Sequence, residues 1–257
     1  MMEKVITRLR KVVRKTPLEL NERLSKKFNC NVYLKREDMQ ISRSFKIRGA
    51  FNKVLSLPMD DVRQRGIVCA SAGNHAQGVA IAATMYNIPC SIYIPENTPM
   101  QKVESLKHIS GKTVNIFKSG MNFDSCLLES QIASREKKSF FIHPFDDKDV
   151  ILGQATVGHE IHEEIHPDII VAPIGGGGLI SGIIYHNNSI KSDTRIIGVE
   201  PETCPSMKLS LEYKKILDYP VNDMFVDGAT VSRVGELPFS IVSESIENVI
   251  STSIGEL

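Results

Sequence analysis

The feature that most restricts how this chain can fold is a regular alternation of short β-branched runs with amphipathic helical stretches. "NVYLK" from Asn31, "GIVCA" from Gly66, "CSIYI" from Cys90 and "TVNIF" from Thr113 read as strands. "SFFIH" from Ser139, "DIIVA" from Asp168 and "RIIGVE" from Arg195 continue the series. Between them, "NHAQGVAIAATMYN" from Asn74 and "FDSCLLESQIASREKK" from Phe123 carry helical periodicity. This alternation predicts right-handed βαβ units and mainly parallel sheets covered by helices on both faces, an α/β fold. With 257 residues the chain can bury a substantial core, in one large domain or two small ones. Ligands in such folds sit at the carboxyl ends of strands, so the loops that follow strands are where chemistry is sought.

Two such loops stand out. In "PIGGGGLISG" a strand runs into Gly175, Gly176, Gly177 and Gly178, and an apolar helix follows. Glycines let backbone come close to a ligand, and unpaired amides at a helix start form an anion site, for which phosphate is the natural occupant. The run misses the dinucleotide fingerprint: with Gly175 and Gly177 as its first two glycines, Ile180 stands at the third. It misses the P-loop too, because no Lys-Ser or Lys-Thr follows. The bland alternative is a flexible turn. In "CASAGNHAQG", Ser71, Gly73, Asn74 and His75 present small polar groups at the mouth of the next helix. They suit a carboxylate or ring hydroxyl of a ligand, although Ser and Asn are also plain N-caps.

A lysine completes the constellation. In "SFKIRGAFNK", Lys46 follows Phe45 in what reads as the first turn of a helix, where the macrodipole disfavours a cation. Either it is a tolerated surface charge, or its amine is wanted in a reactive, depressed-pKa form, desolvated by Phe45.

Composition removes other classes. A formal net charge of +1 gives no basic footprint for nucleic acid. Cys30, Cys69, Cys90, Cys126 and Cys204 have no CxxC spacing, which fits reduced thiols in a cytoplasm. "MMEKVITRLRKVV" is too charged for a signal peptide, and no stretch is long enough to span a bilayer. "HEEIH", His162 to His166, matches a zinc-protease motif, but Pro167 follows at once and disfavours helical geometry for His166. His159, Glu160, Glu163 and Glu164 read instead as the solvated side of a helix, and no metal is expected.

Taken together, "KREDMQISRSFKIRGA" (35–50), "SAGNHAQGVA" (71–80), "FIHPFDD" (141–147), "GGGGLISG" (175–182) and "FVDGATVSRVG" (225–235) resemble the threonine/serine dehydratases of the second fold type of pyridoxal-phosphate enzymes. The likeness runs along the whole chain in the family's order. It implies a two-lobed fold, with a large cofactor-binding lobe from 1–65 and 145–257 and a small lobe from 66–144. It implies that Lys46 carries pyridoxal 5'-phosphate as a Schiff base beside Phe45. Asn74 would bond the ring hydroxyl, and Gly175 to Gly178 with the amide of Leu179 would cradle the phosphate. Ser71, Gly73 and His75 would line the substrate carboxylate site. The implied reaction is β-elimination of L-threonine or L-serine to a 2-oxoacid and ammonia, in a dimer or tetramer.

The resemblance has departures. Related serine racemases resemble "SSGNH" in the polar loop, their second serine being an acid/base, and Ala72 stands there in this chain. The racemases' metal site is also incomplete: Glu200 is expected after its strand, but Cys204 and Ser206 follow where a carbonyl and an aspartate belong. The last residues, "ENVISTSIGEL", read as a strand and a first helical turn, where family members continue through a further helix and a "SGGN"-like loop. The expectation is a large lobe incomplete at its C-terminus, without a regulatory domain and with apolar sheet surface exposed. The rival functional readings are an inactive fragment or pseudoenzyme, and a racemase-like enzyme.

Overall fold

Every β-branched run forms a strand, and the differences lie in where each one stops. The computed structural model describes residues 1–221, 225–253 and 255. The chain opens with α1 (Met2–Leu9), followed by β1 (Leu18–Leu20), α2 (Glu22–Phe28), β2 (Tyr33–Lys35), α3 (Lys46–Ser56) and α4 (Met59–Arg65). Next come β3 (Ile67–Ala70), α5 (Asn74–Tyr86), β4 (Cys90–Ile94), α6 (Met100–Ile109), β5 (Val114–Lys118), α7 (Phe123–Glu136) and β6 (Phe140–Phe141). Then follow α8 (Lys148–His162), β7 (Ile169–Pro173), α9 (Gly178–Ser189), β8 (Arg195–Pro201), α10 (Ser206–Glu212), α11 (Glu236–Ser245) and β9 (Asn248–Thr252).

The strands form a four-stranded sheet in the order β5-β4-β3-β6, a three-stranded sheet β7-β8-β9, and a small antiparallel pair β1-β2. The two larger sheets are parallel throughout. Caps fix the helices between strands: Asn122 and Ser125 form a reciprocal box at α7, and the Asp147 carboxylate accepts two amides at the start of α8. One core joins α1, α3 and α5 to the four-stranded sheet through Leu9, Ile47, Phe51, Val79, Ile67 and Ile92. A second joins α8, α9 and the three-stranded sheet through Val157, Ile184, Ile174 and Ile196.

Glycines link these two bodies. A Cβ on Gly78 of α5 would lie 3.1 Å from the Ile47 Cα, and one on Gly153 of α8 would lie 2.5 Å from the Arg48 carbonyl oxygen. On Gly182 of α9 it would meet the Ala155 nitrogen at 2.6 Å. Backbones therefore touch along the row α5, α3, α8, α9, and Lys46 begins the helix inside that row.

Apolar sheet surface is exposed, as expected of the large lobe: Ile170 and Ala172 of β7 are buried, whereas Ile169 and Val171 are exposed, as is Ile250 on β9. Two other expectations change. Glu160 is not on a solvated face, because its carboxylate binds Arg48 at 2.6 Å and Lys35 at 2.7 Å. Glu200 lies within β8 rather than after it, where its carboxylate accepts the amides of Met207 and Lys208. As expected from Pro167, helix α8 ends at His162 and His166 is outside it. The helical turn expected after β9 falls largely on residues 254, 256 and 257, outside the described residues. No helix among the described residues is long and apolar enough to cross a membrane.

Candidate active site

Lys46 is the first residue of α3, and the Ser44 hydroxyl accepts its amide proton at 3.3 Å. Two residues on, Arg48 locks the helix in place. Its guanidinium donates to both Glu37 oxygens at 2.8 and 2.7 Å and to both Glu160 oxygens at 2.6 and 2.8 Å, with the side chain 1% exposed. Such paired forks fix direction as well as distance, so the start of α3 has one seat.

The Lys46 amine points to the chain segment after β6. Its Nζ donates to the Pro144 carbonyl at 3.2 Å and lies 5.3 Å from the Phe45 ring centroid. Burial removes water from the ammonium and lowers its pKa from 10.5 to about 8. Each neighbour of Pro144 in that segment has its own contact. The Ile142 carbonyl accepts from His75 Nε2 at 2.9 Å. His143 Nδ1 accepts the amides of Phe145 and Asp146, leaving its proton on Nε2. The Phe145 ring lies against the glycine run, where a Cβ on Gly176 would meet it at 2.3 Å.

That contact brings the lysine and the glycine run to one place. Gly177, just before α9, is left-handed at φ +92, a conformation costly for any other residue. The amides of Gly175, Gly176, Gly177, Gly178 and Leu179 find no acceptor among the described residues, and most of this turn is buried. Acceptor-free amides inside a protein are rare, so the turn is built to receive an anion. Residues 228–231 flank it, with the Gly228 carbonyl oxygen 3.1 Å from where a Gly175 Cβ would lie.

Burial also lowers the two histidines near Lys46, and the lysine's charge adds to the effect. His75 falls to about 3 and His143 to about 4, although Asp146 and Asp147 pull His143 upward, so both are neutral at physiological pH. His75 Nδ1 is buried without a partner among the described residues. A cavity of about 190 Å³ opens against the outer side of His143, Phe145 and Asp146. A larger one of about 250 Å³ lies between α1 and α8, away from Lys46 and the glycine run. The acceptor-free amides and the desolvated amine, not cavity size, mark the chemical site.

The residues singled out in the sequence divide into two groups. Lys46 and His75 bond to the 142–147 segment, Gly176 and Gly178 of the glycine run lie against its Phe145, and Phe45 lies beside the Lys46 amine. Ser71 accepts the Gly73 amide at 3.1 Å, a Cβ on Gly73 would meet open space, and Asn74 is exposed at the first position of α5. His75 is turned inward to Ile142 rather than toward solvent. Sequence reasoning missed His143, Pro144, Asp146 and Arg48. "FIHPFDD" was visible as a motif, but a carbonyl acceptor leaves no side-chain signal.

The chain matches the family described as "Pyridoxal-phosphate dependent enzyme" over residues 9–256. It is 45% identical to the biosynthetic L-threonine dehydratase IlvA of Halalkalibacterium halodurans, covering 97% of this chain and 60% of that protein. Against the Staphylococcus aureus enzyme of the same name it is 42% identical, with 99% and 61% covered. The chain thus spans about three fifths of the length of these relatives. Threonine deaminase isoform 2 of Solanum lycopersicum superimposes with a TM-score of 0.89 at 36% identity, covering 98% of this chain and 74% of that one. Maize serine racemase superimposes with a TM-score of 0.92 at 32% identity, covering 98% and 75%.

Proposed function

The chain belongs to the pyridoxal-phosphate dependent enzyme family, and from that premise we propose that it performs β-elimination on L-threonine, and on L-serine, giving 2-oxobutanoate or pyruvate and ammonia. What supports this reading is a desolvated lysine amine on the Pro144 carbonyl, with the next residue, Phe145, packed against a glycine run whose amides lack acceptors among the described residues. These groups fit the cofactor. Amides without partners suit its phosphate, and an amine with a pKa of about 8 suits its aldehyde. Lys46 would hold the aldehyde carbon, Gly175 to Gly178 and Leu179 the phosphate, Asn74 the ring hydroxyl, with Phe45 beside the ring.

Bound there, the cofactor supplies an electron sink for the charge left when the substrate Cα loses its proton. Freed from the aldehyde carbon when the substrate amine takes its place, Lys46 Nζ would be the base for that proton, since a pKa of about 8 lets it both accept and release one near neutral pH. The Pro144 carbonyl orients the amine. His75, protonated on Nε2, offers its free Nδ1 as an acceptor only, so it can orient a donor but cannot supply a proton. Ser71 and Gly73 would receive the substrate carboxylate, and His75 would line that site without donating to it. The Cβ–oxygen bond would break as the departing hydroxyl takes up a proton, balancing the one Lys46 removed from Cα; water leaves, and hydrolysis of the resulting enamine releases ammonia.

Racemisation needs a second acid/base on the opposite face, and Ala72 has no proton to give, which favours elimination over the racemase reading. The division into lobes of 1–65 with 145–257 and 66–144, a cytoplasmic setting and assembly as a dimer or tetramer belong to the same proposal. The test is to load the purified chain with cofactor, add L-threonine and measure 2-oxoacid. Product from the chain and none from Lys46→Ala supports elimination. Interconversion of serine enantiomers without 2-oxoacid would transfer the chain to the racemases. A folded, loaded chain that makes neither product would be an inactive relative.

A further inference from the structure

Asp146 and Asp147 are adjacent carboxylates that serve different helices. Asp147 Oδ1 accepts the Asp149 and Val150 amides at 2.8 and 3.1 Å, capping α8 next to it in sequence. Asp146 instead reaches across the molecule. Its Oδ2 accepts the Glu236 amide at 3.0 Å and its Oδ1 the Leu237 amide at 3.0 Å, so it caps α11 from 90 residues away. The start of α11 in turn touches the glycine run. The Gly235 amide donates to the Gly176 carbonyl at 3.1 Å, and a Cβ on Gly177 would lie 2.7 Å from the Pro238 Cβ. On the opposite side the preceding residue, Phe145, fills the space beside Gly176 and Gly178.

Residues 145 and 146 therefore grip the glycine run from two directions, one through a ring and one through a helix. We propose that Asp146 is a positioning residue for the phosphate cradle: by fixing the start of α11 it sets the Gly235–Gly176 bond and the seat of Pro238, and so the aim of the Gly176 and Gly177 amides. This rests on the reading that the glycine run receives the cofactor phosphate. It makes a prediction whose sign is unusual. A carboxylate near an anion site should, by charge alone, weaken phosphate binding, so its removal should tighten it. The Asp146 charge is satisfied by the α11 amides, which would otherwise lack acceptors, and its removal instead loosens the cradle.

The experiment uses the full chain with Asp146→Asn and Asp146→Ala, titrated separately with pyridoxal phosphate and with pyridoxal, reading visible absorbance on binding. The ratio of the two affinities isolates the phosphate. It is taken within each variant, so general destabilisation cancels. The expected result is a wild-type preference for the phosphorylated ligand that falls about tenfold in Asp146→Ala and less in Asp146→Asn, with pyridoxal affinity retained. If Asp146→Ala does not fold by circular dichroism, a reduced ratio in Asp146→Asn decides the matter in the same way. An unchanged or increased ratio, or equal weakening of both ligands, overturns the inference while leaving the cradle assignment intact. A wild-type chain with no preference for the phosphorylated ligand removes the cradle assignment itself, and this inference with it.

Discussion

Lys46 was legible from the sequence because its position is electrostatically poor, and the structure gives the physical cause of its lowered pKa as desolvation. Arg48, two residues later, was not legible. Its partners Glu37 and Glu160 lie 11 and 112 residues away, and only the folded chain brings them to one guanidinium. Removing Arg48 leaves the Glu37 carboxylate without its cation and Glu160 with Lys35 alone. Arg48→Leu is therefore expected to cost about 3–5 kcal/mol, read from urea unfolding. Glu200 gives a pH signature of defined sign. Burial raises its carboxyl from 4.5 to about 7, against the opposing pull of the Met207 and Lys208 amides. Between these values the folded state keeps a proton that the unfolded state has lost. Unfolding free energy should thus fall as pH rises from 4.5 to 7, and Glu200→Gln should flatten that slope.

At the scale of elements, the strands and the two quoted helices were readable because β-branched runs and 3.6-residue periodicity are local signals. What decides the site is not local. The row of α5, α3, α8 and α9 depends on glycines chosen for what lies opposite them, and nothing near Gly153 in sequence announces Arg48 as its neighbour. A methyl group there would meet the Arg48 carbonyl at 2.5 Å and the Gly49 Cα at 2.6 Å, both backbone atoms. Gly153→Ala should part α3 from α8 and cost about 1–3 kcal/mol in thermal or urea unfolding. Lys46 should also lose its single orientation, seen as weaker cofactor binding. The reading of Glu160 as solvated failed for a related reason. A helix side exposed in isolation is covered in the fold by α3 and the β2 strand, whose Arg48 and Lys35 bind the carboxylate.

At the scale of the whole molecule, two parallel sheets are joined by the helix row and by the 142–147 segment. Parallel sheets ordinarily have both faces covered, yet Val171 is 62% exposed and Ile250 45% exposed on the three-stranded sheet. That face should bind a hydrophobic dye, and Val171→Ser should lower the dye signal without lowering unfolding cooperativity. The proposed chemistry turns on one amine. Treating the chain with pyridoxal phosphate, reducing with borohydride and mapping the peptides tests it most directly. The predicted result is a phosphopyridoxyl group on Lys46 and no label at comparable yield in Lys46→Ala. Label spread over surface lysines, equal in both proteins, would contradict the account.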